Sequence, residues 1–238
     1  MPPYSPILAL VTGGFEVLAG VYALRGPGRK AILRPVAALL FLLAGYQFAE
    51  VAVCARPAVA VFSRLAYLDI TWLPPAGLWL AGILAARRGK ILRTVALLYA
   101  AAAAALGAWI MLDPAVITRS VCSLVLARYF PHAGFDIAYG LFYQTAMLWI
   151  VFGSGIAMAG GRDAELRKHL ANLQLGVLGL MFPAIAVRLL VNGSGDLVPS
   201  AMCHFALILA ASLVALVLRE RKVAAAGPAG VSPAAECP

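Results

Sequence analysis

Glu16, Glu50, Asp69, Arg188 and His204 stand inside, or at the edge of, long apolar stretches of this sequence, accompanied by Tyr46, Gln47, Tyr143 and Gln144. In a bilayer an ionisable side chain costs about 2.5–3.5 kcal/mol on insertion scales, so it faces the bundle interior or a wet cavity and finds a partner there. Tyr46, Gln47 and Glu50 follow one another at i, i+1 and i+4 and share one helical face through the three- and four-residue spacings. Arg188 is the natural anion-binding group or counter-ion, with Glu50, Asp69 or both as partners. Together with Tyr143, Gln144 and His204 these residues define an expected ligand pocket. The competing reading is a structural ion pair that holds helices together while Arg188 snorkels to the interface.

The elements that must position these groups are membrane spans. The chain has 238 residues, 63% of them hydrophobic and 12% charged, with a mean hydropathy of +0.92. A soluble domain has about 45–50% apolar and about 25% charged residues. A span needs about 20 apolar residues, and seven segments qualify: 6–24, 33–54, 59–84, 92–112, 137–159, 171–191 and 200–218. The runs are continuous and rich in Ala and Leu, without the alternation of a membrane barrel, so strands are not expected. The expected fold class is all-α, an integral membrane seven-helix bundle in one domain over residues 1–222, with a disordered cytoplasmic tail over 223–238. MPPYSPILALVTGG has no basic region or small-residue cleavage site and is read as the start of the first span.

Charge sets the expected orientation. Most of the 19 Lys and Arg residues fall on one side: Arg25, Arg29, Lys30, Arg34; Arg87, Arg88, Lys90, Arg93; Arg162, Arg167, Lys168; and Arg219, Arg221, Lys222. The other side has Arg56, Arg64, Arg119 and Arg128. The positive-inside bias therefore places the N-terminus outside and the C-terminus in the cytoplasm of an inner or plasma membrane. The net charge of +9 reflects this topology and anionic headgroups, not nucleic-acid binding. In that frame Glu50, Asp69, Tyr143, Gln144, Arg188 and His204 all fall in the outward half, while Glu16 is an intramembrane acid near mid-depth. The helix breakers Pro74 and Pro75 lie one turn below Asp69; they remove two amide donors and make either a pocket floor or a static kink.

Residues 113–136 form a long outer connection whose VCSLVLARYF stretch is expected to lie at the interface as an amphipathic segment over the pocket. Cys54, Cys122 and Cys203 fall on the oxidising side, so a disulfide from Cys122 to Cys54 or to Cys203 is expected, with the choice open. LLYAAAAAALGAW is expected to pack closely through its small residues.

Other chemistries lack their residues. No HxxxH, HExxH or CxxC motif is present, so no metal site is expected. The lysines Lys30, Lys90, Lys168 and Lys222 all sit at cytoplasmic ends, so the opsin-like topology has no Schiff-base lysine for covalent retinal, and no cofactor is expected. AGYQFAEVAVC and SRLAYLDITWLPPAGLWL, with Glu16 upstream, resemble a family of small uncharacterised polytopic bacterial membrane proteins over residues 16–80. The resemblance implies that Glu16, Glu50, Cys54 and the proline of the third span form a unit. The expected function is recognition of a small molecule or lipid, with a membrane partner protein to report it. A transporter subunit for a small solute, ion or lipid is the alternative, and a membrane-embedded enzyme the third.

Overall fold

The computed structural model describes residues 5–56, 60–122, 127–160, 163–190 and 198–225. Its helices are α1 (Ile7–Arg25), α2 (Lys30–Ala55), α3 (Ala60–Thr71), α4 (Leu73–Leu84), α5 (Lys90–Leu112), α6 (Ala133–Gly160), α7 (Ala164–Leu190) and α8 (Val198–Ala225). Of these, α1, α2, α5 and α6 are long and apolar enough to cross a membrane, which marks the chain as a membrane protein. Leu18, Leu97, Leu112, Phe152 and Ile156 point outward from these helices. In water such a surface would drive aggregation, whereas lipid tails accept it. α8 continues to Ala225, into the segment read as tail.

Thr12, Glu16, Gln47, Glu50 and Ser154 are buried within the bundle. α1 buries Ala9, Thr12, Gly13, Glu16, Ala19, Gly20 and Ala23, a stripe of small residues that lets α2 approach closely and leaves Glu16 as its one charge. α5 uses less of its alanine run than expected: Leu92, Ala96, Ala103, Gly107 and Ile110 are buried, while Ala101, Ala102, Ala104 and Ala105 face outward.

The third apolar segment is broken. α3 ends at Thr71 and α4 begins at Leu73, with prolines in its first turn. Proline is tolerated there because the first-turn amides of a helix have no partner within it. The break therefore precedes Pro74 and Pro75 instead of falling at them. Thr71 reinforces it: its Oγ1 donates to the Tyr67 carbonyl at 2.6 Å, a back-bond that bends helices.

Two strands correct the all-α expectation. β1 (Ile117–Cys122) and β2 (Ala127–Pro131) pair antiparallel, Ser120 opposite Tyr129 and Cys122 opposite Ala127. The segment expected to lie flat at the interface is thus a hairpin. Its β-branched and aromatic residues suit a pleated, half-buried surface, and Ile117, Ala127 and Tyr129 are buried. A disulfide joins Cys122 to Cys54 near the end of α2, with the Cα atoms 5.6 Å apart. The Ser63 hydroxyl donates to Ser120 at 3.2 Å, tying β1 to α3. Opening the Cys54–Cys122 bridge frees a 68-residue separation and should lower stability by about 2–4 kcal/mol. Thermal unfolding of Cys54→Ser in detergent should show a lower Tm, and reductant should reproduce it in the native chain; an unchanged Tm in both would contradict the hairpin's anchoring role.

Candidate functional site: a lipid-facing cavity with one carboxylate

A cavity of about 690 Å³ opens sideways between α2, the α3–α4 break and α5. That volume lies within the range of small-molecule sites. α2 contributes Ala38, Phe41 and Leu42; α3 contributes Asp69; Trp72, Pro75, Ala76 and Trp79 follow the break; α5 closes the space with Ala96, Leu97 and Ala100. The alanines leave the room that larger side chains would fill. Trp72, Trp79, Phe41 and Leu97 are partly exposed at the rim, where acyl chains would meet them.

Among the described residues Asp69 is the one charged residue on this wall. The break positions it: the Trp72 amide reaches back to the Asp69 carbonyl at 3.2 Å, so Asp69 sits on the last turn before the chain bends. Its carboxylate leans on α2 where Gly45 removes a side chain; a Cβ at position 45 would meet Oδ1 at 2.7 Å and Cγ at 3.0 Å. The Tyr46 backbone amide faces the carboxylate, while Oδ2 is buried without a hydrogen-bond partner among the described residues.

The other expected site residues lie elsewhere. Glu50 and Gln47 are buried on α2, Tyr143 is buried and Gln144 half-buried on α6, and none of the four lines the cavity. Pro75 is part of the wall, and Pro74 is buried beside it. Glu16 is wholly buried with both carboxylate oxygens lacking a partner among the described residues. Arg188 and His204 belong to α7 and α8, but their side chains, like that of Cys203, lie outside the described residues.

Beneath the hairpin the bundle is filled by rings. Tyr129 packs edge-on against Tyr67 at 5.3 Å, Tyr67 meets Tyr139 at 5.2 Å, and Phe135 stacks on Tyr139 at 5.4 Å. The Tyr46 hydroxyl donates to that of Tyr129 at 3.4 Å. Such pairs contribute about 0.5–1.5 kcal/mol each beyond the area they bury, so the hairpin is seated on a rigid aromatic floor.

The opposite end holds a buried cluster that the sequence reading missed. Glu220, near the end of α8, accepts from the Arg29 side chain just before α2, including Nε at 3.0 Å. It also meets His169 Nε2, early in α7, at 2.7 Å. His169 and Glu220 are fully buried, whereas Arg29 is half exposed. Beside them Arg221 lies over the Tyr22 ring, 3.4 Å from its centroid. The available signal was that Arg29, His169 and Glu220 all fall on the basic side, and that Glu220 is the one acid in RERK. Both His169 and Glu220 lie outside the apolar spans 171–191 and 200–218. Burial lowers the His169 pKa below 6.5 against the pull of Glu220, since Arg29 already neutralises that carboxylate. Nδ1, buried without a partner, would become an unsatisfied donor on protonation. For Glu220 burial pushes upward, but the hydrogen bond and charge of Arg29 outweigh it and hold the group below 4.5.

No family model, curated protein or solved structure matches the chain. The functional argument therefore rests on the chain's own geometry. Among the described residues no three His, Cys, Asp or Glu side chains gather as a metal-binding group.

Two predictions follow from packing and charge. Gly45→Ala should destabilise the fold by about 1–3 kcal/mol through overpacking against Asp69, and Asp69→Ala should restore much of that loss; additive losses in a double-mutant cycle would contradict the contact. At the other end, both depressed pKa values make protonation costlier in the folded chain than in the unfolded one. Stability is then complete above pH 6.5 and falls as pH drops below that value, with a further loss below 4.5. His169→Gln, which keeps a donor toward Glu220, should abolish the first fall in a Tm-against-pH series, and Glu220→Gln should cost about 2 kcal/mol at neutral pH. A flat Tm between pH 7 and 5 in the native chain would contradict the His169 assignment.

Proposed function

We propose that the protein crosses the inner or plasma membrane seven times, N-terminus outside and C-terminus cytoplasmic, and binds a small lipophilic molecule taken from the bilayer. Two observations support the orientation. The basic connections share the end marked by Arg29, His169 and Glu220, as the positive-inside bias requires. The Cys54–Cys122 disulfide lies at the other end of α2, and disulfides persist on the oxidising side.

The observation that carries the binding reading is the Asp69 cavity. Among the described residues it is large enough for a ligand, apolar apart from one carboxylate, and edged by the exposed apolar side chains of Phe41, Trp72, Trp79 and Leu97, which suit contact with lipid. A pocket with few polar groups set in apolar walls orients a ligand while burying its body. Tyr46, Tyr67, Tyr129, Tyr139 and Tyr143 are buried near the hairpin, toward the end of α2 that carries Cys54. A sensory role, with a membrane partner protein as reporter, suits a single cavity with one carboxylate among its described lining residues. A carrier is the second reading, favoured by Glu16, a further buried acid in α1, since carriers use intramembrane carboxylates and broken helices.

Mass spectrometry of lipophiles retained by the purified protein tests the binding reading. A specific compound should be enriched over bulk lipid and lost in Ala76→Trp, which fills the cavity, with insertion and Tm preserved. An identical profile in the two proteins would refute the cavity as the binding site.

A further inference from the structure

We propose that the cavity selects lipophilic cations: an amine or quaternary ammonium carried on an apolar body. This deepens the reading of the cavity as a ligand site and rests on it.

The first argument is charge balance. Among the described residues Asp69 is the sole charged side chain on the cavity walls, with no Lys, Arg or His beside it there. Among the same residues its Oδ2 has no hydrogen-bond partner, and one backbone amide on α2, that of Tyr46, is set against the carboxylate. A carboxylate in apolar surroundings is costly until a proton or a cation neutralises it. A bound cation meets that need. A neutral alcohol satisfies one lone pair and leaves the charge, while an anion adds a second one of the same sign.

The second argument is the rings. Phe41, Trp72 and Trp79 line the same space, the two tryptophans seven residues apart, at the N-cap of α4 and within it, and so on one helical side. Their faces attract cations electrostatically, indole most strongly. Carboxylate and aromatic faces together favour a cation of low hydration, such as an alkylammonium, whose methyl groups pack against rings.

The third argument is shape. Ala38, Ala76, Ala96 and Ala100 leave the wall smooth, and Leu42 and Leu97 make it apolar. An alkyl or ring body fits along it, reaching Asp69 from the lipid side.

The test uses the full chain in nanodiscs of zwitterionic lipid, which removes surface-charge attraction. Trp109→Phe and Trp149→Phe leave Trp72 and Trp79 as reporters. Three bromoalkyl quenchers of equal chain length carry a trimethylammonium, a hydroxyl or a carboxylate head. Saturable quenching should occur at about tenfold lower membrane concentration for the ammonium than for the alcohol, with the carboxylate weakest. Asp69→Asn should remove the preference and leave quenching by the alcohol unchanged; should that variant not fold, Trp79→Leu should narrow the same ratio. Equal affinities for ammonium and alcohol, or a preference that survives Asp69→Asn, would overturn the charge selectivity while leaving the cavity as a site. Absence of saturable quenching by all three, with Ala76→Trp without effect, would overturn the cavity reading and the selectivity with it.

Discussion

Lipid offers no hydrogen bonds to a broken backbone, and that constraint shapes the middle of this protein. The third apolar segment stops at Thr71 and restarts at Leu73, so Pro74 and Pro75 fall where missing amides cost least. Thr71 takes the Tyr67 carbonyl, and Trp72 and Ala76 continue the backbone bonding across the bend. The break turns Asp69 toward Gly45 on α2 and sets Trp72 and Trp79 along a space that α5 lines with alanines. Cavity, carboxylate and rings all depend on that one local geometry.

The ends of the bundle are locked by different chemistry. At one end a covalent bridge, a serine pair and a ring cluster hold the hairpin down. At the other, Glu220 binds residues from the α1–α2 connection and from α7, so the last helix is tied to the first connection across most of the sequence. Breaking one partner of a buried charged group is costly because the other is left uncompensated.

The helices were legible because lipid demands long uninterrupted apolar runs and marks their ends with charge. The break was legible from Pro74 and Pro75, as was Asp69 as a charge out of place. The hairpin was not: VCSLVLARYF reads equally as an interfacial helix, and only tertiary pairing with Tyr46, Ser63 and Cys54 decides for strands. Trp72, Trp79 and Phe41 carried no signal, since aromatic residues in an apolar segment look alike whether they face lipid, core or ligand. Glu220 was hidden for the opposite reason, standing among arginines that resemble an ordinary charged helix end. Glu50, Tyr143 and Gln144 were grouped by depth and, on α2, by helical spacing; none of the three lines the cavity, because depth and spacing do not specify which face of each helix turns toward it.

A density map of the protein in lipid nanodiscs, purified without added ligand, tests the central claim most directly. The account predicts elongated non-protein density between Phe41, Trp72 and Trp79, with one end at the Asp69 carboxylate. Side chains collapsed into that space, or annular lipid that passes the opening without approaching Asp69, would contradict it.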